Sequence, residues 1–488
     1  MLFNSYIFLL LFLPLTILGY FTFNRFKLHR VAMLFLLAMS LWFYGYFNYY
    51  YLFIMVGSIA LNFLAYKLIG RARHLPKVKL TIAAFAVLIN VAALFYFKYF
   101  DFFTENVNAV FKTDFALRNI VLPLGISFFT FQQLSFVIDS YHDEIPDYDF
   151  IDYACFVTYF PQLVAGPIVT HDELVPQFAD KTKKAFCWES FTKGLYTFVL
   201  GLAKKVLIAD AVGNAVNFGF ANVDTLDSIS AMLVTLAYTV QIYFDFSGYS
   251  DMAIGMGLMM NIELPQNFNS PYKAVSINDF WKRWHITLTR FFTKYIYIPL
   301  GGNRKGSART YLHIMIVYLV SGIWHGANWT FIFWGVCHGI ACVLHRCFKR
   351  SFDKLPKAVN RVLTMAFVNL MWIFFRADSI IDAFALIGRI FSFDFVGLSG
   401  IPDGLVSSVL SAEWQFVLAR IDLLSEFKPI ILFGYILIPL VCSALCKNVY
   451  ERMQSFKCTY LNLFVVSALL LLCIFSFSGV STFLYFNF

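Results

Sequence analysis

From Thr310 to His345 the chain reads TYLHIMIVYLVSGIWHGANWTFIFWGVCHGIACVLH, 36 residues held between the basic clusters RKGSAR and RCFKR. The run is apolar enough for hydrocarbon, and basic flanks collect on the cytoplasmic side of a membrane. Cations at both ends therefore predict entry and return on one face, with Ser321-Gly322 and Gly326 near the middle allowing the reversal. About 15 residues of helix reach ~22 Å. That depth places His325 within the hydrocarbon zone or beyond it, with Trp324 and Trp329 beside it and Asn328 at the same break. An ionisable ring at such depth points to a functional site. The competing reading is a core histidine satisfied by its neighbours.

The rest of the chain agrees with a membrane setting. Of 488 residues, 60% are hydrophobic and 14% charged, with 59 phenylalanines, a balance that excludes a soluble globular domain. The runs Asn4 to Phe23, Leu80 to Phe97 and Leu461 to Val480 approach the ~20 residues a helix needs to cross hydrocarbon. Helices are the expected spanning element, because every backbone N–H must be satisfied without water. Alternating segments of an outer-membrane barrel are missing from the pattern. Counting spans gives roughly ten or eleven embedded helices. The first is expected to stay as an anchor, since Met1 to Asn4 carries no basic start and no small-residue cleavage site follows. The cysteines sit mostly in apolar segments without metal-ligand spacing, so neither a disulfide framework nor a structural zinc is expected.

The loops NRFKLHR (Asn24 to Arg30) and RARHLPKVK (Arg71 to Lys79) are basic, whereas YGYFNYYY between them is uncharged and aromatic. Both basic loops are expected in the cytoplasm and the N-terminus outside. The net charge of +9 is thus membrane electrostatics, and no nucleic-acid motif accompanies it.

In the middle, PLGISFFTFQQLSFVIDSY, FVTYFPQLVAGPI and VQIYFDFSGYSDMAIGMGLMMNIELPQNFNSPY carry Pro, Gly and ionisable residues in apolar surroundings. Helices interrupted at membrane depth need protein or a wet cavity around them, so a cavity is expected. Asp245 and Asp251 fall here, readable either as a proton relay or as hydrogen-bonding groups beside Ser247 and Ser250. No transporter-like internal repeat is present.

SINDFWKRWHITLTRFFTKYIYIPL, Ser276 to Leu300, differs in kind. On a continuous helix Trp281, Trp284, Leu288, Phe291, Phe292 and Tyr295 fall within an arc of about 100°, opposite Lys282, Arg283, Arg290 and Lys294. The spacing predicts an interfacial helix in the membrane plane, with His285 about 40° from Trp281 on its apolar side. The four cations either anchor it to anionic headgroups or attract a phosphate-bearing donor or an acidic carrier protein.

Haem ligation by the histidines is disfavoured. His325 and His338 lie 13 positions apart, which rotates them by about 220° on one helix. His338 and His345 share a face and cannot clamp an iron from both sides. A proton-coupled transporter is the stronger non-enzymatic alternative.

Six ordered blocks decide between these classes: YFPQLVAGPIV (Tyr159 to Val169), FDFSGYSDMAIG (Phe244 to Gly255), LPQNFNSPY (Leu264 to Tyr272), DFWKRWHITL (Asp279 to Leu288), YIYIPLGGNRKG (Tyr295 to Gly306) and SGIWHGANWTFIFWGVCHG (Ser321 to Gly339). With FFRADSI (Phe374 to Ile380) and the final FLYFNF they resemble the membrane-bound O-acyltransferase family, specifically its alginate O-acetylation branch. The resemblance covers a core of about 156–345, flanked by N-terminal helices in 1–150 and C-terminal helices in 357–488, within a single integral membrane domain. It implies an all-α polytopic ring around a central channel, with interrupted and amphipathic helices. It also implies an acyltransferase with two key histidines, which by position are His325 and His285.

The implied reaction sets a task for each residue. Acetyl transfer from a thioester to a hydroxyl needs a base, oxyanion donors and exclusion of water. His325 is expected as general base or transient acyl acceptor, and His285 as a group that orients the donor or stabilises the tetrahedral intermediate. Asn328 is expected as a hydrogen-bond donor, with Trp324, Asp245 and Asp251 in support. No cofactor is expected to be held permanently. Acetyl-CoA is the implied donor, and the implied partners are membrane lipids, an extracytoplasmic SGNH-type acetyltransferase and, through it, an alginate-like polysaccharide outside the bacterial inner membrane. D-alanyl transfer to teichoic acid from an acyl-carrier protein and peptidoglycan O-acetylation are the alternatives. The soluble acyltransferase motif HxxxxD is missing: five positions after His285 stands Arg290.

Overall fold

A computed structural model describes residues 1–164, 166–397, 400–409, 428–477 and 483–484. Among them every regular element is a helix. Among the described residues six helices are long and apolar enough to cross a membrane: Phe8–Arg25, Tyr49–Arg71, Pro76–Phe111, Ser228–Met259, Trp329–Cys347 and Lys357–Arg376. His29–Gly45, Pro429–Leu445 and Tyr460–Phe475 are shorter apolar helices. Length and hydropathy alone therefore mark fewer spans than the expected ten or eleven. The apolar run read from Leu461 lies on Tyr460–Phe475, and its end at 478–480 is outside the described residues.

The chain forms two compact units, Met1–Phe198 with Met252–Gln266, and Val199–Asp251 with Asn267–Phe488. The first holds α1 (Leu13–Arg25), α2 (His29–Gly45), α3 (Tyr49–Arg71), α4 (Pro76–Leu94), α5 (Phe100–Phe111), α6 (Ile126–Tyr141), α7 (Phe150–Thr158), α8 (Phe160–Leu163) and α9 (His171–Ala179). Its interior carries a buried amide network. Asn62 Nδ2 donates to Gln133 Oε1 at 2.7 Å, Asn90 Nδ2 donates to Asn62 Oδ1 at 2.7 Å, and the Tyr153 hydroxyl donates to Gln133 Oε1 at 3.2 Å. Such bonds tie α3, α4, α6 and α7 together where apolar contacts alone give little direction. The expected interruption in FVTYFPQLVAGPI is present: α7 ends at Thr158, Tyr159 caps it, and Pro161 stands in the first turn of α8.

The chain continues through α10 (Trp188–Ala203), a π-helical turn at Lys204–Ala209, α11 (Asp210–Ala221) and α12 (Ser228–Met259). The interruption expected in VQIYFDFSGYSDMAIGMGLMMNIELPQNFNSPY comes after Met259, in the stretch NIELPQNFNSPY, while its Gly-containing first part lies on α12, one unbroken helix of 32 residues. Its glycines are contact notches. A Cβ at Gly248 would stand 2.8 Å from the Gly201 carbonyl oxygen, so the absence of a side chain lets α12 pack on backbone.

The second unit then gives α13 (Ile277–Trp281), α14 (Ile286–Phe292), α15 (Ser307–His325), α16 (Trp329–Cys347), α17 (Lys349–Phe352), α18 (Lys357–Arg376), α19 (Ile380–Ile390) and α20 (Asp403–Ser408). The expectation of one continuous interfacial helix over Ser276–Leu300 is corrected. α13 stops at Trp281, His285 takes the left-handed conformation at φ 45°, and a π-helical turn at Thr293–Tyr297 follows α14. Trp281, Trp284, Leu288, Phe291 and Phe292 are buried in protein. The angular relation of His285 to Trp281 on a regular helix therefore does not apply.

The Thr310–His345 reversal is present as the α15–α16 hairpin, and its turn is Gly326–Asn328. Gly322 stays inside α15, where it meets α16: a Cβ there would lie 2.4 Å from the Phe331 carbonyl oxygen, and one at Gly335 would lie 2.4 Å from the Tyr318 carbonyl oxygen. Gly335→Val is expected to force the two helices apart and destabilise the protein by about 1–3 kcal/mol, the usual range for overpacking. Thermal unfolding of the detergent-solubilised protein reads this, and an unchanged midpoint would contradict the close approach.

Candidate active site

His325 is the last residue of α15, 2% exposed, and the extended Gly326 turns the chain away from it. Its ring is enclosed by Trp324 at 4.9 Å, Trp334 at 5.1 Å and Phe375 at 5.1 Å between centroids. The expected neighbour Trp329 is instead exposed at the start of α16. Five residues further along that helix, Trp334 is turned inward in its place.

His285 is fully buried. Its ring meets Phe246 of α12 edge-on at 4.8 Å and Trp324 at 6.2 Å. One indole, that of Trp324, thus contacts both histidines, which lie 40 positions apart in sequence. His285 Nδ1 faces Asn267 Oδ1 at 3.1 Å. His285 lies outside the candidate spanning helices, and burial pushes its imidazole down to about 3, so the ring is neutral at working pH.

Asn328 serves the hairpin. Its Oδ1 caps α16 by accepting from Thr330 N at 3.0 Å, and its Nδ2 donates to the Asp378 carbonyl at 2.8 Å. An amide used in this way is a helix cap, and the expected donor to an oxyanion is not what its geometry displays. Asn328→Ala is expected to cost about 1 kcal/mol of stability, the ordinary value of a lost N-cap, readable as a lowered unfolding midpoint. His338 also belongs to the core, accepting from Trp281 Nε1 at 3.3 Å.

Asp245 and Asp251 each face a lysine absent from the sequence reading. Lys205 Nζ lies 2.6 Å from Asp245 and 2.7 Å from Asp210, and Lys204 Nζ lies 2.7 Å from Asp251. These are buried ion pairs at a π-helical turn, a geometry that often accompanies functional regions. The signal was present in sequence as KK inside FVLGLAKKVLIADAV, a cation pair within an apolar run that demands a partner.

Among the four cations of the Ser276–Leu300 segment, Arg283 pairs with Asp279 at 2.8 Å. Lys282, Arg290 and Lys294 are exposed. Lys282 and the exposed Arg346 of α16 line a cavity of about 390 Å³ whose buried lining includes Trp281, Leu288, Phe292 and Ser321. Ser321 precedes His325 by four residues, one turn of α15.

The sequence that carries this site matches a known family. Residues 43–377 match the MBOAT, membrane-bound O-acyltransferase family. The chain belongs to that family. It is a membrane acyltransferase, and its fold is the polytopic all-helical one. The acyltransferase is 39% identical to a peptidoglycan O-acetyltransferase of Helicobacter pylori over 522 residues, covering 100% of this chain and 98% of that protein. It is 38% identical to a "Probable alginate O-acetylase AlgI" of Pseudomonas aeruginosa over 403 residues, covering 80% and 75%. A teichoic acid D-alanyltransferase of Bacillus subtilis is 24% identical over 280 residues, covering 54% and 68%.

Proposed function

We propose that this acyltransferase takes acetyl from a cytoplasmic thioester, acetyl-CoA, and passes it across the inner membrane, N-terminus outside, for O-acetylation of an envelope polysaccharide. The observation that carries the reading is His325 buried at the hairpin turn, one indole from His285, with a cavity reaching the helical turn before it. The attacking hydroxyl gives its proton to His325 as its oxygen bonds the acyl carbon. The tetrahedral intermediate then collapses, the C–S bond breaks, and the proton passes to the departing thiolate. The three rings around His325 keep water from the thioester. An SGNH-type partner outside the membrane completes delivery to the polymer.

The cavity supports a phosphate-bearing donor: its wall suits a pantetheine arm, and Lys282 and Arg346 are exposed cations on its lining. Lys282→Ala/Arg346→Ala is expected to raise the donor KM about tenfold with kcat unchanged, since charge-assisted contacts of this kind hold substrate and transition state alike. Two polymers fit. The alginate-type relatives support an exopolysaccharide, while the end-to-end match to the Helicobacter enzyme favours peptidoglycan.

The test uses purified protein with its partner and labelled acetyl-CoA, set beside a D-alanyl carrier protein, together with ester analysis of muropeptides and exopolysaccharide from a deletion strain. Thioester turnover with acetyl-CoA and loss of polymer acetyl esters is the expected result. Turnover with the alanyl carrier alone would overturn the acetyl assignment. Ion flux altered by His325→Ala with acetyl transfer intact would favour transport.

A further inference from the structure

The neighbours of His285 fix where its proton sits. Asn267 Oδ1 lies 3.3 Å from the backbone nitrogen of Thr287 and 2.9 Å from the Thr287 hydroxyl. A backbone N–H only donates, so the Asn267 atom facing it is the carbonyl oxygen and the amide cannot be turned over. The same oxygen faces His285 Nδ1 at 3.1 Å. An oxygen that only accepts requires the proton on Nδ1, and in the neutral ring Nε2 then carries the lone pair. That Nε2 is buried and has no hydrogen-bond partner among the described residues. A desolvated lone pair without a donor is costly, and it marks a place where a donor arrives.

The backbone holds the ring to this one arrangement. His285 sits at φ 45°, ψ 54°, a left-handed conformation that a residue with a side chain adopts only under strong local constraint. The constraint is a clamp with the Asn267 segment: Ile286 N donates to the Asn267 carbonyl at 3.0 Å, and Asn269 N donates to the Arg283 carbonyl at 2.9 Å. Phe268 stacks at 6.5 Å and Phe246 closes the edge at 4.8 Å.

We propose that Asn267 is a positioning residue that locks His285 as a hydrogen-bond acceptor, so that Nε2 receives a protic group, N–H or O–H, of the bound acyl donor. A neutral His285 in this state has no proton to give an oxyanion at Nε2. Of the two roles open to it, orientation of the donor is the one its geometry allows. The substrate half of this inference rests on the acyl-transfer reading; the lock itself does not.

The charged groups on the packed elements do not compete for the ring. Asp245 and Asp251 of α12 face Lys205 and Lys204, Arg283 pairs with Asp279, and His325 of α15 packs on Trp324 at 4.9 Å.

Nitrogen NMR of the full-length protein labelled with ¹⁵N-histidine decides the tautomer, with the His285 signals identified by their loss in His285→Gln. The expected pattern is a protonated Nδ1 and a bare Nε2 from about pH 5.5 to 8. In Asn267→Asp the carboxylate still accepts from Thr287 but favours the imidazolium, so Nε2 gains a proton at the acid end. Acyl transfer by that variant should then fall about tenfold per pH unit below the raised His285 pKa and recover as pH rises. His325 as general base gives both proteins a common acid limb, so the reading is the additional limb in the variant, which a merely structural Asn267 would not create. A proton on Nε2 in the wild type, or an Asn267→Asp profile parallel to the wild type, overturns the proposal. If the wild type transfers no acetyl group, the function fails while the nitrogen spectrum still decides the lock.

Discussion

His325→Gln is expected to lower acetyl transfer by about two to four orders of magnitude, the usual worth of a positioned general base, with little change in the unfolding midpoint. Glutamine keeps most of the ring's volume and a polar end, so Trp324, Trp334 and Phe375 retain something to pack against. It cannot take a proton near neutral pH. His325→Ala would remove the base as well, but it would leave a cavity among three aromatic rings, whose cost is harder to separate from catalysis.

The measurement is steady-state turnover of acetyl-CoA with partner and acceptor present, beside the thermal midpoint of each variant. If the ring takes the hydroxyl proton in the transition state, kcat and kcat/KM should fall together while KM stays near its original value. A variant retaining more than about a tenth of wild-type kcat would remove His325 from the proton transfer. A rise in KM alone would make it a binding group.

The same hairpin shows what the sequence made legible. Hydropathy bounded by basic clusters revealed two helices and a turn, because a reversal within 36 apolar residues needs Gly326 and a capping Asn328 near its centre. It did not reveal which rings enclose His325, since Trp329 and Trp334 are both on α16 and only the hairpin packing turns the second inward. Ser276–Leu300 misled for a related reason. A helical wheel presupposes unbroken 3.6-residue periodicity, whereas the clamp to the Asn267 segment bends the chain at His285. The glycines of α12 serve close packing rather than interruption, a distinction set by a neighbouring helix and not by the local sequence. Lysines 204 and 205 were visible as misplaced charges, but their partners Asp251, Asp245 and Asp210 are chosen by tertiary structure alone.

Lys205→Met is expected to destabilise the protein by about 3–5 kcal/mol, the range seen when one partner of a buried ion pair is removed. Lys205 and Asp245 are nearly inaccessible, and the ammonium serves two carboxylates at once. Its loss leaves Asp245 and Asp210 facing each other's charge in a desolvated interior, although Leu484 N still donates to Asp245 at 3.0 Å. Restoring neutrality tests whether charge is the cause: Lys205→Met/Asp245→Asn/Asp210→Asn should recover most of the lost midpoint, because apolar and amide replacements no longer demand a counter-ion. If the triple variant is as unstable as the single one, the aliphatic stem of Lys205 matters more than its charge. If the single variant is as stable as the wild type, the two aspartates are not ionised together, and the proton-relay reading of Asp245 becomes the better account of this turn.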